Sequence, residues 1–151
     1  MMDELDEKYM REALKEASAA RDEDEIPIGA VVVCRGRIIA KGHNMTERLH
    51  DPTAHAEMIA ITSATEAMGG KYLNDCTLYV TVEPCPMCAG ACLQTHIGRI
   101  VFGAWDAKLG ACGSVWDIPR DPHVGSFPEV YGGVCEGKCA RLLADFFGRK
   151  R

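Results

Sequence analysis

The chain has 151 residues and a mass of 16.5 kDa, with 17 Lys and Arg against 22 Asp and Glu for a formal charge of −5. A hydrophobic share of 47% beside 26% charged residues excludes a disordered chain, and at this length a single domain buries about 70% of its unfolded surface. The longest apolar run, residues 26–34, contains Pro27 and Gly29 and is too short for a bilayer, and the acidic start is unlike a secretion signal. The expectation is one soluble, non-exported, cytoplasmic domain over residues 1–151, with no membrane partner.

Residues 3–21 place Leu5, Tyr9, Met10, Ala13, Leu14 and Ala17 at helical spacing, and the acidic run 22–25 is expected to end that helix in solvent. Residues 28–34 and 37–43 read as two strands joined by a hairpin at Arg35-Gly36. After a loop over 44–52, a helix is predicted from Thr53 to Met68, capped by Thr53 or Asp51 and closed by Gly69-Gly70. Residues 76–83 form a third strand, stopped by Pro84; 86–95 form a short helix and 98–104 a fourth strand. Residues 105–129, rich in Gly and Pro, make an unusually long loop. A short strand near Val130 and a helix over 135–147 complete the chain. This order implies a sheet with helices on both faces.

Charge is uneven. Residues 1–25 hold ten acids and four bases, the remainder twelve acids and thirteen bases, and the chain ends Arg149-Lys150-Arg151. The overall negative sign therefore belongs to the first helix, which leaves the rest compatible with a nucleic-acid partner or with an ordinary solvated face.

Eight cysteines, with no secretion signal, read mostly as small buried apolar residues. Cys85 and Cys88 are different. They open one helix within Pro84-Cys85-Pro86-Met87-Cys88, as His55-Ala56-Glu57 opens another. A helix N-terminus favours thiolate. One imidazole and two thiolates supply three ligands to Zn²⁺ and keep the fourth position open, the pattern of a catalytic and not a structural site. Glu57, beside that position, can carry a proton from water to a leaving amine. Two other arrangements remain open at this level. Cys85 and Cys88 could close a four-Cys site with Cys135 and Cys139, which leaves His55 and Glu57 without a role, or a Cys–His pair could act as a nucleophile.

The HxE and PCxxC elements together match the known signature of zinc-dependent deaminases. The likeness extends through residues 26–33, Asn44, 51–57, 78–91, 97–104 and 106–114, and over these segments the chain resembles the bacterial tRNA-specific adenosine deaminases. The resemblance implies a cytidine deaminase-like α/β fold, three layers α/β/α around a mixed five-stranded sheet. It implies a homodimer in which zinc is held by His55, Cys85 and Cys88, with Glu57 as the proton carrier. The implied reaction is hydrolysis of the wobble adenosine in a tRNA anticodon stem-loop to inosine, with release of ammonia. By position, Asn44 would hold the target base, Ile28 would wall its pocket and Asp106 would face the substrate backbone.

At 125–126 this chain has Gly125-Ser126 where many members of that family carry an Asn-His pair, with Arg120 and His123 nearby. Arg48, Lys108, Arg120 and residues 149–151 are the candidates for phosphate contacts. Trp105 reads as a packing or stacking residue, and Glu83 as a structural acid at a strand end. The alternative reading is a deaminase of a free nucleobase or nucleoside such as guanine or cytosine, which needs the same zinc and Glu57. A third reading, a non-catalytic zinc-stabilised or RNA-binding module, has no use for Glu57.

Overall fold

A computed structural model describes residues 4–125 and 128–149. Along the chain run α1 (Glu4–Asp22), β1 (Gly29–Cys34), β2 (Arg37–His43), α2 (Ala56–Met68), β3 (Cys76–Val82), α3 (Pro86–Gln94), β4 (Arg99–Ala104), β5 (Glu129–Tyr131) and α4 (Glu136–Arg149). The strands form one five-stranded sheet in the order β2-β1-β3-β4-β5. The pairs β2–β1 and β1–β3 are antiparallel; β3–β4 and β4–β5 are parallel.

Local chemistry explains much of this. Arg35 and Gly36 both take positive φ, 51° and 78°, the turn that matches the twist of a two-residue hairpin. Parallel pairing of β3 and β4 needs a crossover, which α3 provides. β1 is buried along its whole length, so it reads as a continuous apolar run and not as an alternating one. Its Ala30 and Val32 join Ala56, Ala60 and Ala64 of α2 and Ala89 and Cys92 of α3. Its Val31 and Val33 join Tyr9, Met10 and Ala13 of α1 and Cys139 of α4. The three-layer α/β/α expectation holds, with α2 and α3 on one face and α1 and α4 on the other.

Four sequence expectations are corrected. Leu5 is exposed, and Asp6, next in sequence, is buried instead, because it meets Arg99 of β4 through a bidentate ion pair at 2.8 Å and accepts from the Tyr79 hydroxyl at 2.7 Å. The acidic run after α1 is not wholly solvated: Glu25 is buried and accepts from the backbone N–H of Glu47 at 3.1 Å and of Arg48 at 2.8 Å. α2 begins at Ala56, not Thr53, and neither Thr53 nor Asp51 caps it, since the Asp51 carboxylate turns to the Thr53 amide and hydroxyl. The last helix starts at Glu136 and runs on to Arg149. The closure at Gly69 is as expected, with φ 68° and the Gly70 N–H reaching back to the Thr65 carbonyl.

The segment 105–129 has more order than its composition suggests. It holds a short 3-10 turn over Ile118–Arg120 and an isolated bridge between Cys112 and Asp117. Ala111 and Cys112 are fully buried in the same core cluster as α2 and α3. Ser126, Lys150 and Arg151 lie outside the described residues.

Candidate metal centre

The sites of chemistry gather where α2 and α3 begin, α3 following directly on the carboxyl end of β3. His55 and Cys85 are the N-cap residues of these helices, with extended backbones (φ −74°, ψ 152° and φ −75°, ψ 173°) and no side-chain cap bond of their own. His55 thus stands outside the helix. The divergence of residues two apart on a helix does not apply to it and Glu57. Pro86 at the first helical position presets the turn that carries Cys85 and Cys88 to one side.

The His55 Nδ1 atom lies 3.6 Å from the Cys85 Sγ and 3.5 Å from the Cys88 Sγ, and the three ligand atoms fall within 4.8 Å of one another. Zinc bonds to nitrogen and sulfur subtending a tetrahedral angle place those atoms about 3.6 Å apart. The spacing and the soft N/S donor set therefore fit Zn²⁺. Among the described residues this is the one such cluster. Cys135 and Cys139 belong to the opposite face of the sheet with α1, which removes the four-Cys arrangement.

The electrostatics suit a cation. Cys88 donates to Cys85, which together with His55 lowers the Cys85 thiol to about 4 against its burial. Cys88 itself is raised by that same bond and by burial, and the Cys85 hydrogen bond raises His55. Glu57 is buried, which pushes its carboxyl up to about 7, and it lies in hydrogen-bonding contact with Cys88. A carboxyl near neutrality and beside the ligand set is suited to proton transfer.

Asn44 is buried, and its Oδ1 accepts from the Ala56 N–H at 2.9 Å. This residue, twelve positions upstream, is the cap that α2 lacks in its own sequence. With its oxygen committed to the helix, its NH₂ is the part of the amide that can meet a base. Ile28 is half-buried against the α2–α3 core, and its carbonyl accepts from the Asn44 N–H at 3.1 Å, so both belong to one structural unit. Asp106 is elsewhere in the loop after β4, half-buried, its Oδ1 accepting from the amides of Lys108 at 2.9 Å and Leu109 at 3.1 Å. Trp105 is 49% exposed, with one edge on Phe102 at a centroid distance of 4.7 Å. Arg120 pairs with Asp117 at 3.0 Å and His123 with Asp121 at 2.8 Å.

Glu83 is the residue whose reach sequence reasoning understated. It is buried, and its Oε1 accepts from the Asp106 amide at 3.0 Å and from the Ser114 hydroxyl. Its Oε2 accepts from the amides of Cys112 and Ser114, each at 3.0 Å.

The model of the cytidine and deoxycytidylate deaminase zinc-binding region matches residues 3–104. The chain is 45% identical over 146 residues to a tRNA-specific adenosine deaminase of Bacillus subtilis (strain 168), covering 97% of this chain and 91% of that protein. A tRNA-specific adenosine deaminase of Agrobacterium fabrum (strain C58) is 46% identical over 143 residues, covering 95% and 94%. A structure solved in work on A-to-I editing by tRNA:A34 deaminases at the wobble position superposes with a TM-score of 0.87 at 45% identity, over 90% of this chain and 99% of that one. The chain has the cytidine deaminase-like α/β fold, and it belongs to the cytidine and deoxycytidylate deaminase zinc-binding family.

Proposed function

We propose that residues 1–151 act as one zinc-dependent deaminase domain that hydrolyses the wobble adenosine of a tRNA anticodon to inosine and ammonia. The observation that carries this reading is the convergence of His55, Cys85 and Cys88 beside the buried Glu57, with His55 and Cys85 on helix caps and only partly buried. Zinc bound there supplies Lewis acidity that brings the pKa of a water from 15.7 to about 7. Glu57 accepts a proton from the attacking water at its carboxylate and returns it to the amine leaving C6 of the adenine. The Asn44 NH₂ donates to an acceptor on the base edge, and Ile28 supplies an apolar wall. Asp106 faces the substrate backbone, where a carboxylate accepts from a ribose hydroxyl.

The partner is the anticodon stem-loop, whose unpaired target nucleotide can be splayed into the pocket at little cost. Lys108, with Arg48 and Arg120 released from their surface ion pairs with Glu23 and Asp117, would meet phosphates. A homodimer and a cytoplasmic location are parts of the same reading. No described helix is long and apolar enough to cross a membrane. A free-base substrate such as guanine or cytosine is disfavoured by relatives at 45–46% identity whose names specify tRNA.

The test mixes the purified chain with an anticodon stem-loop bearing a wobble adenosine together with guanine, adenosine, cytosine and cytidine, and reads the products by mass spectrometry. Inosine in the RNA alone is expected. A deaminated free base with intact RNA overturns the substrate, and no product in any pool member overturns the enzymatic reading in favour of a binding module.

A further inference from the structure

The Glu83 side chain stands between the metal ligands and the long loop after β4. Glu83 and Pro84 directly precede the ligand Cys85, and both are tied to the segment 106–114. The Glu83 carboxylate takes four donors from Asp106, Cys112 and Ser114, and the Pro84 carbonyl accepts from the Ala111 N–H at 2.8 Å. Glu83's own N–H donates to the Ala104 carbonyl at 2.8 Å, where β4 ends and this loop begins. Ala111 and Cys112 are fully buried against α3, so the segment is packed onto the same helix that carries Cys88. Around this anchored stretch the side chains of Trp105, Leu109, Val115 and Trp116 are exposed. A buried acid with four donors, at the junction of the ligand strand and a loop with an uncovered apolar rim, does more than fill space.

We infer that Glu83 is a positioning residue: through its bonds to Asp106, Cys112 and Ser114 it holds the 106–114 loop in register with the Cys85 turn, so that the loop forms a fixed wall of the substrate entrance. This deepens the proposed function and rests on it for the identity of the substrate. Each carboxylate oxygen receives two donors, at least one of them a backbone N–H. A glutamine there, in either orientation, turns its NH₂ against a backbone N–H and must release part of the loop. The expected consequence falls on productive binding and not on the chemical step, because the Glu83 carboxylate bonds to the loop and to neither the ligand side chains nor Glu57.

Glu83→Gln tests this with the full chain loaded with zinc. Both tryptophans of the sequence flank the anchored segment, so their quenching by acrylamide reports on this loop without a label. Zinc content, tryptophan quenching, amide exchange of residues 106–114, and KM and kcat on the anticodon stem-loop are compared with wild type. The expected result is unchanged zinc content, faster exchange and stronger quenching, KM raised about tenfold and kcat within about threefold. Ser114→Ala, which removes one donor and keeps the carboxylate, is expected to shift KM the same way by less, and it decides by the same criterion if Glu83→Gln does not fold. A loosened loop with KM unchanged overturns the inference, and so does loss of zinc and kcat together in both variants. If wild type converts a free base and not the RNA, the substrate assignment falls while Glu83 is still decided, by whether its substitution raises KM for that base.

Discussion

Glu57 and Glu83 are both buried glutamates at the boundary of an element, and they are buried in opposite ways. Glu83 receives four donors from one loop and serves as the fixed centre of that loop. Glu57 is pushed up to about 7 by burial and keeps its capacity to take and give a proton. A carboxylate surrounded by backbone donors becomes architecture; one whose burial pushes its pKa up toward neutrality becomes chemistry. Asp6 and Glu25 extend the comparison. Asp6 is held by the Arg99 guanidinium, and Glu25 by the backbone amides of Glu47 and Arg48, whose loop leads from Asn44 toward His55.

Substitution should separate these four acids, the largest effect coming first. Glu57→Ala is expected to lower kcat by about 10²–10⁴ with zinc content and melting temperature retained, whereas His55→Ala should lose both zinc and activity; metal analysis beside single-turnover rates tells them apart. Loss of zinc from the Glu57 variant would make Glu57 a structural acid and erase the contrast with Glu83.

Asp6→Ala takes the carboxylate from Arg99, which keeps the Tyr79 hydroxyl at 3.3 Å and some solvent contact, and is expected to cost about 3 kcal/mol in urea denaturation. Burial opposes the charge of Asp6, but the Arg99 and Tyr79 bonds outweigh it and hold the carboxyl below its ordinary 3.8. The unfolded chain therefore binds this proton first. The stabilisation is complete above about pH 4 and is lost as pH falls through the lower folded value, so Asp6→Asn should flatten the acid limb of the stability curve. An unchanged limb would place the compensation elsewhere.

Glu83→Leu should cost at least about 2 kcal/mol, since burial strands several backbone N–H groups and only those near solvent recover water. Glu25→Ala, with two backbone donors and the Thr46 hydroxyl at 3.4 Å to release, should cost about 1–2 kcal/mol. A larger loss at Glu25 than at Glu83 would reverse the ranking by donor count. Smallest is the surface term: raising salt from 50 to 200 mM should lower kcat/KM on the stem-loop through the phosphate contacts, steeply only if several lysines and arginines engage.

Most of the elements, and the grouping of His55, Cys85 and Cys88 into one cluster, were legible in the chain alone. His55, Glu57, Cys85 and Cys88 sit in two short motifs, each at a helix start, so spacing along the chain already carries their geometry. The hairpin at Arg35-Gly36 and the stop at Gly69 are likewise local, fixed by backbone conformations that few residues adopt. What tertiary structure decided are the partners distant in sequence. In the first turn of α1 spacing favours Leu5 for burial, and only an arginine 93 positions away brings Asp6 inside in its place. Asp51 and Thr53 look like caps for α2, yet Asn44 caps it, because the turn between β2 and α2 folds that amide back over the helix start. The 105–129 segment reads as loose until the Glu83 carboxylate is placed among its amides. Periodicity records which side chains avoid water. It does not record which buried polar group will answer another, and in this chain those pairings tie helices, strands and loops that lie far apart in sequence.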